Sequence, residues 1–304
     1  MYDYLFEITD ENCGLRVDKL LAVSCEGMSR SYIQKLIKEG KVLLNGQVCK
    51  ASAVTSEGDR VSLCAPEPVT PDIIAQDIPL DILYEDEDVI VVNKPKGMVV
   101  HPAPGHYSDT LVNALLYHCR DLSGINGVLR PGIVHRIDRD TTGAVIACKN
   151  DRAHEILAAQ FKEHSLEREY RAIVHGNIKE DSGTIDAPIG RDKKDRKKMG
   201  VDPENGREAV TSFEVLERFG RYTYIKCILK TGRTHQIRVH MAYIKHPVLG
   251  DEVYCNISSP FRLTGQTLHA ATLGFTHPVS GERILTEAPL PDYFEKLLKG
   301  LRSG

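Results

Sequence analysis

The segment HRIDRDTTG, His135 to Gly143, brings a histidine, two arginines and two aspartates together within six residues and closes on a small-residue turn. Carboxylates this close to arginines either form structural ion pairs or are kept as reactive anions. With an ordinary pKa of about 3.9, an aspartate is already ionised at neutral pH and is a competent nucleophile without further tuning. The two acids differ in context. Asp140 begins D-T-T-G, which suits an Asx turn in which its side chain accepts backbone N–H groups. Asp138 has no such local use, and in an extended loop it shares a side with Arg136 and Asp140. Its surroundings leave two readings open: an ion pair with an arginine, or a carboxylate held for chemistry.

A second polar group lies in LKTGRTHQIRVHMAYIKHPVLGDEVY, Leu229 to Tyr254. A strand is expected to end at Thr231-Gly232, and Thr234 to cap a helix beginning at His235. Arg233, His235, Gln236 and Arg238 then gather at a helix N-terminus, where anions are favoured. The arginines there can fix a carboxylate or phosphate, or can belong to an ordinary solvated basic face. His235 and His240 are five apart rather than four, no H-E-x-x-H occurs, and the eight cysteines stand singly without a C-x-x-C pair, so no metal site is expected. Those cysteines read as reduced and mostly buried. A third stretch, GRDKKDRKKMG from Gly190 to Gly200, has six Lys or Arg against two Asp. It reads as a mobile loop or hairpin tip touching phosphate non-specifically, with a merely solvated loop as the alternative.

These groups need a scaffold. A chain of 304 residues with 41% hydrophobic content is long enough for two cores. With neither a signal-peptide pattern nor a run of about 18 apolar residues, a cytoplasmic location is expected. The net charge of -3 conceals local basic patches. The first unit is placed at residues 14–65. There Ser29 caps a helix whose Ile33, Leu36 and Ile37 form one apolar face, Gly40 stops it, and Asn45-Gly46 turns a hairpin that the strand GDRVSL extends. Arg30, Lys35, Lys38 and Lys41 make the other face of that helix basic, against the single acid Glu39. Residues 66–80, with Pro66, Pro68, Pro71 and Pro79, read as a semi-rigid linker.

Beyond it, residues 81–304 form the second unit. VIVVN is a strand, Pro95 to Gly97 a turn, and a short strand follows. Further strands such as YRAIVHG, AVTSFEVLE and TYIKCILK alternate irregularly with helices such as DRAHEILAAQFKEH. The fold class is therefore α+β, with a mixed, largely antiparallel central sheet and flanking helices behind a small N-terminal α/β domain. The charged segment around Asp138 sits between apolar stretches, as a connection held at strand ends.

Two resemblances add to this reading. GLRVDKLLA, SRSYIQKLIKEGKVLLNG and GDRVSL resemble an S-four-like RNA-binding domain, whose helix and hairpin contact RNA phosphates. VVNKPKGMVVHP, GIVHRIDRDTTGAVIACKN, REYRAIVHG and TGRTHQIRVHMAYIKHPVLGD resemble, in order and over nearly all of the second unit, the motifs of the RluA-type pseudouridine synthase family. The N-terminal domain is similar to that of the RluD-like branch acting on large-subunit ribosomal RNA. The resemblance implies that Asp138 is the catalytic aspartate, that Arg238 pairs with it, that Tyr170 packs on the target uracil, and that Arg136 helps occupy the space left by the extruded base. It implies no cofactor, since uridine and pseudouridine are isomers, and RNA as the partner with no obligate protein partner. Three chemical routes for the aspartate stay open: attack at C1′, addition to C6, or abstraction of a ribose proton. Ile137 and Arg168 stand where Leu and Lys are commoner, and neither is expected to touch the chemistry. A non-catalytic RNA-binding protein and a hydrolase using a second carboxylate are the rival readings.

Overall fold

Where local sequence dictates structure most directly, around Ser29, the expectation is met. Its Oγ accepts the Tyr32 N–H at the start of a helix, Gly40 takes φ +71° beyond the end, and Asn45 and Gly46 both adopt the positive φ that a tight hairpin turn needs. In the computed structural model, residues 2–10, 12–25, 28–65, 73–102, 107–119, 122–125, 130–192, 195 and 198–303 are described. The chain divides into two units, Met1–Thr70 and Pro71–Gly304.

The first unit runs β1 (Tyr2–Glu7), α1 (Val17–Ser24), α2 (Arg30–Lys38), β2 (Val42–Leu44), β3 (Gln47–Val48) and β4 (Arg60–Ala65). Its sheet has the order β1-β4-β2-β3, and every pairing is antiparallel. Val17, Leu20 and Leu21 of α1 and Ile33, Leu36 and Ile37 of α2 close a core over Val42, Val61 and Leu63. The unit begins before Gly14. Strand β1 pairs along the whole of β4, and Tyr4 and Phe6 pack on that core. Its partner lies more than fifty residues away, so no local pattern announces it.

The second unit continues with β5 (Ile82–Glu85), β6 (Val89–Lys94), α3 (Leu111–His118), β7 (Thr142–Cys148), α4 (Asp151–Glu163), β8 (Glu167–His175), β9 (Ser182–Asp186), β10 (Ile189–Arg191), β11 (Met199–Val201), β12 (Val210–Arg218), β13 (Tyr222–Leu229), α5 (Gln236–Tyr243), β14 (Leu268–Thr276), β15 (Arg283–Glu287) and α6 (Asp292–Ser303). The main sheet has the order β5-β6-β7-β14-β8-β13-β12-β9, with β15 on β14. Its pairings are antiparallel except β7 on β14, so the mixed, largely antiparallel α+β architecture is what forms. That parallel contact explains the glycine closing D-T-T-G. Gly143 has φ +109°, and a Cβ there would lie 2.1 Å from the Ala270 carbonyl oxygen.

Three expectations change. Residues 73–80, expected as part of a semi-rigid linker, belong to the second unit: Ile73 and Leu80 pack on the α3 side of the core, Gln76 N–H donates to the Asn113 carbonyl, and Asn113 Nδ2 donates to Ile74 O. The rest of the proline-rich stretch, 66–72, lies outside the described residues. The short strand expected after Gly97 is only a bridge between Val99 and Thr110. Of the eight cysteines, Cys25, Cys119, Cys148 and Cys227 are buried, while Cys13 is exposed and the other three are intermediate.

Lys94, at the end of β6, is 1% exposed. Its Nζ donates to the carbonyls of Pro95, Met98 and Arg139 at 2.8–2.9 Å, tying the turn after β6 to the loop that carries Asp138. Burial draws its pKa down to about 7, against the attraction of Asp140 and Asp138. Lys94→Met removes the donor shared by those three carbonyls and should cost about 1–3 kcal/mol. Urea unfolding reads this as a lower midpoint with an unchanged m-value. A loss below about 0.5 kcal/mol would mean that the turn does not depend on the ammonium.

Candidate active site

The loop between the Ile133 bridge and β7 places the two aspartates on different partners. Asp138 Oδ2 accepts Arg238 Nη1 at 2.8 Å, and its Oδ1 lies 3.7 Å from His235 Nε2. Asp140 pairs with Arg139 at 3.0 Å and lies against Gly265, where a Cβ would come within 2.5 Å of its own Cβ. The expected Asx turn is absent from the described hydrogen bonds; the turn closes through Thr141 N–H to the Asp138 carbonyl. The flanking arginines do not pair with Asp138. Arg136 Nη1 faces His101 Nε2 at 3.3 Å, and Arg139 takes Asp140.

Arg238 comes from α5 and is 5% exposed. Its Nε and Nη2 donate to the two carboxylate oxygens of Asp251 at 2.7 and 3.0 Å, a bidentate fork that leaves Nη1 aimed at Asp138. Burial opposes its charge. The hydrogen bonds and attraction of Asp251, with those of Asp138, outweigh burial and hold its pKa above the usual guanidinium range. Asp251 is 1% exposed, and its Oδ1 also accepts the Val253 and Tyr254 N–H groups. The sequence reading missed Asp251, although an aspartate after a turn glycine, Gly250 at φ +78°, is an Asx-turn signal.

Thr234 is not the cap of α5. His235 is the N-cap, in the left-handed region at φ 57°, without a side-chain cap. The opening turn is held instead by Gln236, whose Oε1 accepts the Arg233 N–H and Thr231 Oγ1 and whose Nε2 donates to Val210 O and Thr211 Oγ1. Gln236, gathered with the arginines at this helix N-terminus as a candidate RNA contact, therefore lines the cleft with its amide already committed internally. Tyr254 Oη accepts the Met199 N–H and meets His235 Nδ1 at 2.7 Å. With the phenol proton given to Nδ1, the imidazole carries its own proton on Nε2, facing Asp138. Burial lowers the His235 pKa, with Asp138 opposing, so this neutral form is the resting one.

Tyr170 on β8 completes the cleft with Arg136, Ile137, Leu229 and Leu268, above Asp138 and Arg238. Burial raises its phenol pKa, so the ring stays neutral at physiological pH. About 360 Å³ lies between these walls and the open mouth. The cleft thus has a flat apolar wall, a carboxylate anchored by a buried guanidinium, and cationic Arg136 and Arg233 at its edge.

His101 is 3% exposed, and its pKa is pushed down to about 4 by burial, Arg136 and Arg130. A neutral His101 can accept from Arg136; a protonated one repels it. Because the folded value lies below the ordinary value of about 6.5, this contribution is complete above that pH and is lost as pH falls towards 4. Thermal melts should show Tm dropping between about pH 6.5 and 4. The drop should be shallower in His101→Gln, and equal slopes in both proteins would remove His101 from the acid response.

In the first unit the basic face is partly neutralised. Arg30, with Arg16 and Gln34, hydrogen-bonds the fully buried Asp18. Burial would raise the Asp18 pKa, but these hydrogen bonds lower it overall. Lys35 and Lys41 both reach Glu39, at 3.7 and 3.0 Å, while Lys38 is exposed. Exposed pairs of this kind are weak, about 0–1 kcal/mol, and leave the ammonium groups available to stronger anions. The strands that flank the basic stretch after Gly190, β10 and β11, pair antiparallel; its Lys193, Lys194, Arg196 and Lys197 lie outside the described residues.

Comparison with known proteins agrees with this architecture. The family described as RNA pseudouridylate synthase matches residues 88–243, and the S4 domain matches residues 15–61. A Bacillus subtilis (strain 168) protein named uncharacterized RNA pseudouridine synthase YlyB is 53% identical over 296 residues, covering 97% of each chain. The ribosomal large subunit pseudouridine synthase D of Zymomonas mobilis is 45% identical over 305 residues, covering 97% of this chain and 96% of that one. The solved structure of human RNA Pseudouridylate Synthase Domain Containing 1 superposes with a TM-score of 0.59 at 26% identity, covering 76% of this chain and 97% of that chain. Fold and cleft define an RNA-modifying isomerase. The chain belongs to the RNA pseudouridylate synthase family and carries an S4 domain ahead of the synthase unit.

Proposed function

We propose that the chain isomerises uridines of large-subunit ribosomal RNA to pseudouridine, with Asp138 as the catalytic residue. The observation that carries the reading is the Asp251–Arg238–Asp138 chain: a fully buried carboxylate fixes a guanidinium whose remaining nitrogen holds Asp138 at the mouth of the cleft. The N1–C1′ bond breaks, the uracil turns, C5 bonds to C1′, and the C5 proton is exchanged for one on N1, so nothing is added or lost. Arg238 keeps Asp138 anionic and oriented while the base rearranges.

Reaching a base inside folded RNA requires extruding it, at a cost of a few kcal/mol. Stacking on Tyr170 offsets part of that cost, and Arg136, exposed at the rim, fills the vacated space. Arg233 faces the same strand, and in the first unit Arg30, Lys35, Lys38 and Lys41 meet phosphates. The ribosomal target is supported by relatives named ribosomal large subunit pseudouridine synthase D, at 45% and 42% identity. No helix among the described residues is long and apolar enough to cross a membrane, and a cytoplasmic location is part of the proposal.

The test is tritium release from unmodified large-subunit ribosomal RNA transcribed with C5-tritiated uridine, joined to mapping of pseudouridines in RNA from cells with and without the protein. Release of tritium and loss of defined ribosomal positions are expected. Tritium retained in that RNA, with sites lost from another RNA, would move the target elsewhere, and free uracil as product would make the chain a hydrolase.

A further inference from the structure

Beside the uridine cleft lies a second one, lined by Val134, Phe161, Gly232 and the cationic side chains of Arg136, Lys162, Arg168 and Arg233. Arg168 is 7% exposed, yet its Nε and Nη2 have no hydrogen-bond partner among the described residues. Its guanidinium lies over the Phe161 ring at 5.9 Å, and no carboxylate among the described residues lines the cleft. A buried guanidinium without a counter-anion costs several kcal/mol and is not something a core retains for stability. The neighbouring backbone is shaped around it: a Cβ on Gly232 would come within 2.6 Å of Arg168 Nη1. His135, drawn down to about 3 by burial, is neutral here and accepts the Ile146 N–H, so it supplies no counter-charge.

We propose that this cleft is a subsite for a backbone phosphate of the RNA, next to the target uridine, with Arg168 as its principal ligand. The inference rests on the proposed reading of the chain as an RNA uridine isomerase. Alternate residues of a strand share a face, so β8 presents Arg168 and Tyr170 side by side. The two clefts share Arg136, Tyr170, Leu229 and Arg233. A strand whose base enters the Tyr170 cleft therefore carries its adjoining phosphodiester past Arg168. The planar guanidinium fork matches two phosphate oxygens at once, which an ammonium in the same place does not. The departure from the commoner lysine at this position is thus one of ligand geometry as well as of charge.

The experiment compares wild type, Arg168→Met and Arg168→Lys on transcribed large-subunit ribosomal RNA carrying C5-tritiated uridine, over a salt series, with thermal melts in chloride and in inorganic phosphate. In Arg168→Met, KM should rise about 10- to 100-fold with kcat within about threefold. The salt slope of log(kcat/KM) should fall by about one phosphate contact. Tm should be unchanged or higher, because an unpaired buried charge has been removed. Arg168→Lys should recover part of the KM. A lower Tm with KM and salt slope unchanged makes Arg168 structural and overturns the proposal. Stabilisation of wild type by inorganic phosphate, lost in Arg168→Met while RNA kinetics stay equal, also overturns it and assigns the cleft to a free anion. A wild type that releases no tritium from this RNA refutes the ribosomal-target reading on which the proposal rests, an outcome distinct from either.

Discussion

Asp138→Asn should lower the rate of pseudouridine formation at least about 10⁴-fold, the scale of loss when the reacting group of a catalytic unit is removed. The amide is nearly isosteric, and its oxygen can still accept Arg238 Nη1, so the geometry of the cleft is kept. What disappears is the anion. Arg238 retains both bonds to Asp251, so folding should change little. RNA affinity, set mainly by phosphate contacts distant from this carboxylate, should stay within about threefold. Single-turnover tritium release and filter binding separate the two quantities. Asp140→Asn is the control: it unpairs the half-exposed Arg139 and should leave the rate within a few-fold. Normal isomerisation by Asp138→Asn, or loss of activity in both variants, would remove the distinction between the two acids.

That distinction was only partly legible in HRIDRDTTG. Features fixed by neighbours in sequence were readable: the Ser29 cap, the stop at Gly40, the Asn45-Gly46 turn and the strands β6, β8, β12 and β13 of the main sheet. Interactions made across the chain were not. Local reasoning offered Asp138 the arginines beside it, but those turn to His101 and Asp140, and the partner is Arg238, 100 residues on. Only the resemblance supplied that pairing. Asp251 escaped notice because burial and a second, distant partner give an acid its importance here, and neither is visible in GDEVY. Thr234 misled in the opposite way. A residue with the right propensity stood at the right place, but Gln236 took over the turn by hydrogen-bonding back onto β12 and Thr231. Nor does the sequence show that Arg168 is buried, with its Nε and Nη2 unpartnered among the described residues.

Asp251→Asn should be the most destabilising change in the site, by about 3–5 kcal/mol, because it leaves Arg238 buried with half its counter-charge removed. The amide keeps one acceptor oxygen but turns an NH₂ group towards a guanidinium that can only donate. Arg238 must then rotate or lean on Asp138 alone, and either movement disturbs the reacting carboxylate. Asp251 is thus a positioning residue, and its effect should appear as a lower kcat with little change in KM, measured well below the lowered Tm. Stability and catalysis can be separated by substituting both partners. Arg238→Met with Asp251→Leu replaces a buried ion pair by apolar side chains and should recover much of the lost stability, since breaking a pair costs more than removing it whole. Activity should not return, because Asp138 then has no cation to hold it. If the double variant regained activity together with its Tm, the chain from Asp251 through Arg238 would be a feature of the fold alone, and Asp138 would be oriented by His235 or by the RNA.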